Sequence, residues 1–170
     1  MAFQILAIDP GPIESAYVVW DGTKIERFAK AENALVLDEI SLCGKFKELI
    51  APQVLVIEQV KSYGMTVGAS VFETVFWSGR FTMACEYNEF SFLTWDRIPR
   101  MDVKMHLCHS SRAKDSNIIQ ALVDRFAPNE KNRGKGTKSA PGFFYGFKSD
   151  IWQAFALAVT YFDQSKWRDE

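Results

Sequence analysis

The stretch Phe3-Gln-Ile-Leu-Ala-Ile-Asp9, broken at once by Pro10-Gly11, decides how this chain is read. A short apolar run closed by a breaker pair is a buried strand with a sharp exit. Asp9 then stands at the strand's C-terminal end. Val54-Leu-Val-Ile-Glu58, entered through Pro52, repeats the design with Glu58 at its end. Continuous apolar strands of this kind are covered on both faces. Between them, residues 15–20 and 24–29 read as two more strands, joined by a hairpin turn at Asp21-Gly22.

The rest of the chain follows from these strands. Asn33 is placed to cap a helix reaching about residue 50, interrupted at Gly44. Residues 69–87 have helical spacing, with Val71, Val75, Phe76 and Gly79 on one side. Residues 90–95 read as a fifth strand. Helices near 99–108 and 113–127 come next, the second with Ile118, Ile119, Leu122, Val123 and Phe126 at helical spacing. Residues 128–147 are rich in Gly, Pro and Lys and read as an irregular surface loop. A last helix starts at Ser149 or Asp150 and runs to about Gln164. Three meandering strands followed by alternating units predict an α/β fold, a mixed sheet with helices packed on it.

The 170 residues, 48% apolar and 24% charged, fit one globular domain over 1–170. No apolar run reaches the roughly 18 residues of a membrane span, and the first residues lack a secretory signal. Three widely spaced cysteines, Cys43, Cys85 and Cys108, point to reduced thiols in a cytosol-like compartment. The formal net charge is −1, which by itself argues against nucleic acid. Its distribution argues otherwise. Residues 1–96 hold 7 basic and 13 acidic side chains, whereas residues 97–148 hold 11 basic and 4 acidic. Such segregation builds a local basic surface on a near-neutral protein.

Asp9 and Glu58 end strands that, as parallel neighbours, lie about 5 Å apart. Charge at a buried strand end is costly without a cation or other partner. Two carboxylates there suit hard cations such as Mg²⁺, which take oxygen ligands. Asp150 opens the last helix and can point to the same place, or it can be a simple helix cap.

Four ordered blocks carry a family resemblance. Leu6-Ala-Ile-Asp9-Pro-Gly, Leu55-Val-Ile-Glu58-Gln-Val and Asp150-Ile-Trp-Gln-Ala-Phe-Ala-Leu-Ala-Val-Thr160 resemble RuvC-type Holliday-junction resolvases, which are ribonuclease-H-like nucleases. Pro99-Arg-Met-Asp-Val-Lys104 with Arg112-Ala-Lys-Asp-Ser-Asn-Ile118 looks like the family's segment between the last strand and the following helix. Residues 64–81 look most like bacteriophage members. The resemblance implies a five-stranded mixed sheet with helices on both faces and a cytoplasmic, homodimeric endonuclease (in the host cytoplasm if phage-encoded). It implies hydrolysis of branched DNA, four-way junctions above all, to a 5′-phosphate and a 3′-hydroxyl. It implies two Mg²⁺ ions per site, with Mn²⁺ able to substitute, and no organic cofactor. Asp9 would bridge the ions, Glu58 and Asp150 would hold one each, and Gln153 would assist. Lys104 and Lys114 would stand beside the phosphate, where cations stabilise developing charge.

The sequence departs from the family in three places. Gln153 falls where a second acidic residue is usual, three residues after Asp150 and on the same helix face. Lys61 falls where an aromatic wedge is usual, and Tyr63 is the nearest aromatic. Asp115 falls where a basic residue is usual. For DNA contact, Lys131, Arg133, Lys135 and Lys138 in the basic loop fit phosphate binding, with Lys61, Arg80 and Arg112 in support. A solvated charge run is the plain alternative. Tyr63 would stack on or wedge between bases, or simply pack in its loop. Phe72, Val75 and Phe76 would form a two-fold interface, unless they pack on the sheet. His106-Leu-Cys108-His109 is too crowded for a zinc site, and no second ligand pair exists.

A non-catalytic branched-DNA-binding module remains a competing function, motivated by Gln153. Actin-like ATPases share the Asp-x-Gly hairpin, but their duplicated domain does not fit 170 residues.

Overall fold

In the computed structural model, residues 3–43, 52–88, 92 and 94–165 are described. Strands β1 (Ile5–Asp9), β2 (Glu14–Trp20), β3 (Ile25–Glu32), β4 (Val54–Gln59) and β5 (Thr94–Pro99) form one sheet in the order β3-β2-β1-β4-β5. The pairs β1–β2 and β2–β3 are antiparallel, while β1–β4 and β4–β5 are parallel. Helices α1 (Asn33–Leu42) and α2 (Ala69–Glu86) cover one face. Helices α3 (Arg100–Cys108), α4 (Asp115–Phe126) and α5 (Ile151–Gln164) build the other.

Strand alternation sorts the core. Ile5 and Ala7 of β1, Val54 and Val56 of β4, and Ala16, Val18 and Trp20 of β2 face α5. Leu6, Ile8, Leu55, Ile57 and Val19 face α1 and α2. The period-2 geometry of a strand therefore explains why these runs are apolar throughout: both sides are buried. Helix α5 is buried at every position from Ile151 to Thr160, as expected of a helix that is apolar all round. Trp20 meets Phe155, Phe162 and Phe126 edge-on at centroid distances of 5.4, 5.1 and 5.7 Å.

Two expectations need correction, the bounds of the fifth strand and the cap of α1. The fifth strand runs over Thr94–Pro99, because that segment pairs in register with Val54–Gln59. The expected start at Phe90 falls on residues outside those described, as does the expected course of α1 beyond Cys43. Asn33 is the first residue of α1 and does not cap it. Its side chain accepts from the Ser15 hydroxyl at 2.6 Å and donates to the Gly11 carbonyl at 2.9 Å, tying down the turn that follows Asp9. Gly11 is required there, because a Cβ would come within 2.3 Å of the Glu14 carbonyl oxygen. On α2 the buried residues are Thr74, Phe81 and Cys85, whereas Val75 and Phe76 point outward.

The segment 128–147 is only partly a surface loop. Phe144 and Phe147 are fully buried and pack on Trp152 and Phe155. Gly134 makes this possible: its φ is +72°, and a Cβ would stand 2.4 Å from Ala127 Cβ and 2.9 Å from the Phe144 ring. All three cysteines are free. No helix among the described residues is long and apolar enough to cross a membrane.

Candidate active site

The sheet register brings the acids together. Asp9 pairs with Ala16, and Ala16 pairs with Lys30. Ile8 pairs with Ile57, which sets Glu58 beside Asp9. Lys30, Ala16, Asp9 and Glu58 thus form one row across four strands. Alternation points that row toward α5, since Ala7, Ala16 and Val56 face that side. Asp150, at the first turn of α5, completes it.

Asp150 occupies the cap position of α5, yet its side chain makes no capping hydrogen bond. It instead accepts from Lys30 Nζ at 2.6 Å and from the Ser149 hydroxyl at 3.1 Å. Partial burial raises its carboxyl, but these two hydrogen bonds together with the charges of Lys30 and Arg100 hold it below the ordinary range. Glu58 is raised by burial, against the nearby Arg100 guanidinium. Asp9 is pushed up to about 8 by burial, then by the charges of Glu58 and Asp150. No side chain among the described residues is seen to hydrogen-bond the Asp9 carboxylate.

Two basic residues of this site escaped the sequence reading. Arg100 donates from one arm to Glu58 Oε2 at 3.1 Å and from the other to Asp115 Oδ1 at 2.6 Å. Lys30 reaches Asp150 from the neighbouring edge strand. A faint signal for Arg100 existed, since a cation in the first turn of a helix opposes the helix dipole unless an acid holds it. Nothing in β3 marked Lys30, because the register of an edge strand is not legible in its residues.

Among the described residues, no group of three or more His, Cys, Asp or Glu side chains is close enough to hold a metal ion. Each outer carboxylate is held by a basic partner, Glu58 by Arg100 and Asp150 by Lys30. The donor set nevertheless fits a hard cation. Asp9 and Glu58 share one strand level with Asp150 of α5 alongside, and the buried Gln153 Oε1 has no hydrogen-bond partner among the described residues. Asp9, Glu58, Asp150 and Gln153 are the residues that would hold such ions.

A cleft of about 270 Å³ opens beside Glu58, lined by Lys61, Tyr63, Arg100, Lys104 and Ser111 among others. Lys104, on the second turn of α3, lowers the Glu58 carboxyl slightly. Tyr63 is 56% exposed with φ +48°, so it stands out from its loop rather than packing in it. Lys114 precedes α4, where its backbone N–H donates to Asn117 Oδ1 at 2.9 Å. Arg112 is exposed in the turn before α4. Lys131, Arg133 and Lys138 are exposed, while Lys135 lies half-buried with its ammonium 6.0 Å from the Trp152 ring. Arg80 is placed elsewhere, on the outer face of α2, over the Trp77 ring at 4.5 Å. His106 bonds Asp163 at 2.7 Å.

No protein-family model matches the chain, and no curated protein matches its sequence. Solved structures do resemble it. RuvC of Thermus thermophilus matches with a TM-score of 0.61 and 16% identity, covering 94% of this chain and 93% of that one. RuvC of the same organism in complex with a Holliday junction substrate matches at 0.64 and 14%, covering 94% and 92%. The yeast mitochondrial Holliday junction resolvase Ydc2 matches at 0.57 and 14%, covering 94% and 78%. These three neighbours are bacterial and mitochondrial, so the likeness of residues 64–81 to phage members rests on sequence alone. At such identities the likeness is one of fold: the chain has the five-stranded, ribonuclease-H-like α/β fold of RuvC.

Proposed function

We propose that this protein is a metal-dependent, structure-selective DNA endonuclease acting on Holliday junctions and related branched DNA. The observation that carries the reading is the row of Asp9 and Glu58 at one strand level, with Asp150 of α5 alongside. It lies on a fold shared with a RuvC solved on a Holliday junction substrate. Two bound Mg²⁺ or Mn²⁺ ions would lower the pKa of an attacking water and stabilise the leaving oxygen of a phosphodiester.

The chain's own residues have defined tasks. Asp9, Glu58, Asp150 and Gln153 hold and space the ions. Lys104 and Lys114 lend positive charge beside the phosphate. Lys61 and Arg112 take backbone phosphates near the cleft, and Tyr63 stacks on an unpaired base at the branch point. Lys131, Arg133, Lys135 and Lys138 extend the phosphate contact beyond the cleft. Arg80 lies on the dimer face proposed next, away from the acidic row. The outer face of α2 serves a two-fold partner, so that two sites cut opposed strands. Phe72 and Phe76 are 66% and 59% exposed there. Phe76 lines an apolar groove of about 680 Å³ with Leu37, Val75, Met83 and Arg80 in its walls. The products carry a 5′-phosphate and a 3′-hydroxyl.

Incubation with four-way junctions and with linear duplex, in Mg²⁺, Mn²⁺ or chelator, tests the reading. Metal-dependent nicking confined to branched DNA is expected. The second reading, a binding module that recognises branches without cutting them, is favoured by the amide at Gln153. Tight junction binding with no cutting under any metal would select it.

A further inference from the structure

Two basic side chains occupy the flanks of the acidic row, and the nuclease reading assigns neither of them a task. Arg100 bridges Glu58 at 3.1 Å and Asp115 at 2.6 Å. Lys30 holds Asp150 at 2.6 Å. Asp9, between the flanks, has no such cation in contact among the described residues. Three neighbouring carboxylates repel one another, and a half-buried carboxylate left unpaired is costly. A cation on each flank relieves that repulsion when no metal is present. The oxygens so engaged are the ones a hard divalent cation would take. Ammonium or guanidinium and metal therefore compete for the same lone pairs.

We propose that Arg100 and Lys30 are resident counter-cations of the acidic row and are exchanged for divalent metal ions when these bind. The inference rests on the metal-dependent reading above. Metal arrival displaces Arg100 from Glu58 and Lys30 from Asp150. Asp115 gives the exchange a direction. It stands outside the row, its side chain 63% exposed, and its contact with the second arm of Arg100 survives when Glu58 lets go. The freed arm of the guanidinium then stays in the cleft with Lys61, Lys104 and Tyr63. A planar guanidinium held there suits a phosphate oxygen. Asp115 is thus a positioning residue, and Arg100 becomes available to DNA only in the metal-loaded protein. Lys30, on the edge strand β3 with its side chain 38% exposed, has an open path to solvent. Neither end of the exchange leaves a buried charge alone.

The test is Mn²⁺ binding to the full chain without DNA, followed by the electron paramagnetic resonance of the free ion. Arg100→Gln should tighten Mn²⁺ binding roughly tenfold, the scale of one charge-assisted bond lost by the competitor. Lys30→Gln should tighten it less, roughly two- to fivefold, because that pair is half-exposed. Asp115→Asn should act in the opposite sense and weaken binding roughly two- to threefold, since Arg100 then serves Glu58 alone. General loosening of the fold would move all three variants the same way. Lys30→Gln, on the surface, keeps the test open if Arg100→Gln does not fold. Affinities in Arg100→Gln or Lys30→Gln no tighter than wild type would overturn the exchange. Failure of the nuclease reading looks different: the affinities shift as stated, yet no branched DNA is cut. Absence of Mn²⁺ binding in every protein would overturn both.

Discussion

Asp9, a metal-holding residue in the proposed function, carries a cost to the metal-free fold. Its carboxylate is largely buried beside two other carboxylates, and among the described residues no side chain donates to it. Asparagine keeps its shape and removes the repulsion. Asp9→Asn should therefore melt several degrees higher than wild type in chelator, since about 1 kcal/mol moves a domain of this size by roughly 2–4 °C. The gain should shrink in excess Mg²⁺, which wild type alone can use. A melting point in chelator below that of wild type would remove the electrostatic account of the site. The three acids were legible in the sequence because each closes an apolar run or opens an apolar helix, where charge is conspicuous. Lys30 and Arg100 were not. Their relevance depends on which residue of an edge strand lies opposite Ala16, and on where β5 ends.

At the scale of elements, the three helices over the acidic face are joined at their far end by one carboxylate. Asp163 on α5 accepts from both arms of Arg125 on α4, at 2.6 and 2.8 Å, and bonds His106 on α3 at 2.7 Å. These hydrogen bonds outweigh the opposing effect of burial and hold the Asp163 carboxyl below its ordinary range. A carboxyl depressed in the folded state adds stability above its unfolded pKa of about 3.9 and loses it as pH falls through the folded value. Asp163→Asn should cost about 1–2 kcal/mol at neutral pH, discounted for the exposure of Arg125. In paired thermal melts the difference from wild type should close below about pH 4. A difference that did not narrow at all as pH fell below about 4 would contradict the assignment. Element type was readable from hydrophobic period for most of the chain. The displaced β5 shows where that failed, because an apolar stretch before residue 94 masked the true partner of β4. The segment 128–147 failed for another reason: its glycines and lysines read as loop, while Phe144 and Phe147 supply core.

At the scale of the molecule, a net charge of −1 conceals an acidic stretch over residues 1–96 and a basic one over residues 97–148. The acidic row repels phosphate until cations fill it, and two basic residues after position 97, Arg100 and Lys104, line the cleft beside Glu58. DNA affinity should therefore respond to both salt and divalent metal. The second global feature is the uncovered apolar face of α2, which a soluble monomer rarely leaves open. Phe76→Glu should shift a sedimenting dimer to monomer, and monomeric wild type at micromolar concentration would contradict the two-fold arrangement. The fold was legible in the order of elements along the chain, because three meandering strands followed by alternating units leave few ways to build one sheet. The partner could only be expected, since nothing in α2 distinguishes a face for a second copy from a face for the sheet until packing has used the other side. Single-turnover cleavage of a four-way junction in Mg²⁺, compared between wild type and Asp9→Asn at matched binding, tests the central claim most directly. The account predicts a rate loss of more than about a hundredfold, beyond the cost of losing even an outer partner of a metal ligand. Equal rates in the two proteins, or no cutting of any branched DNA by wild type in Mg²⁺ or Mn²⁺, would contradict it.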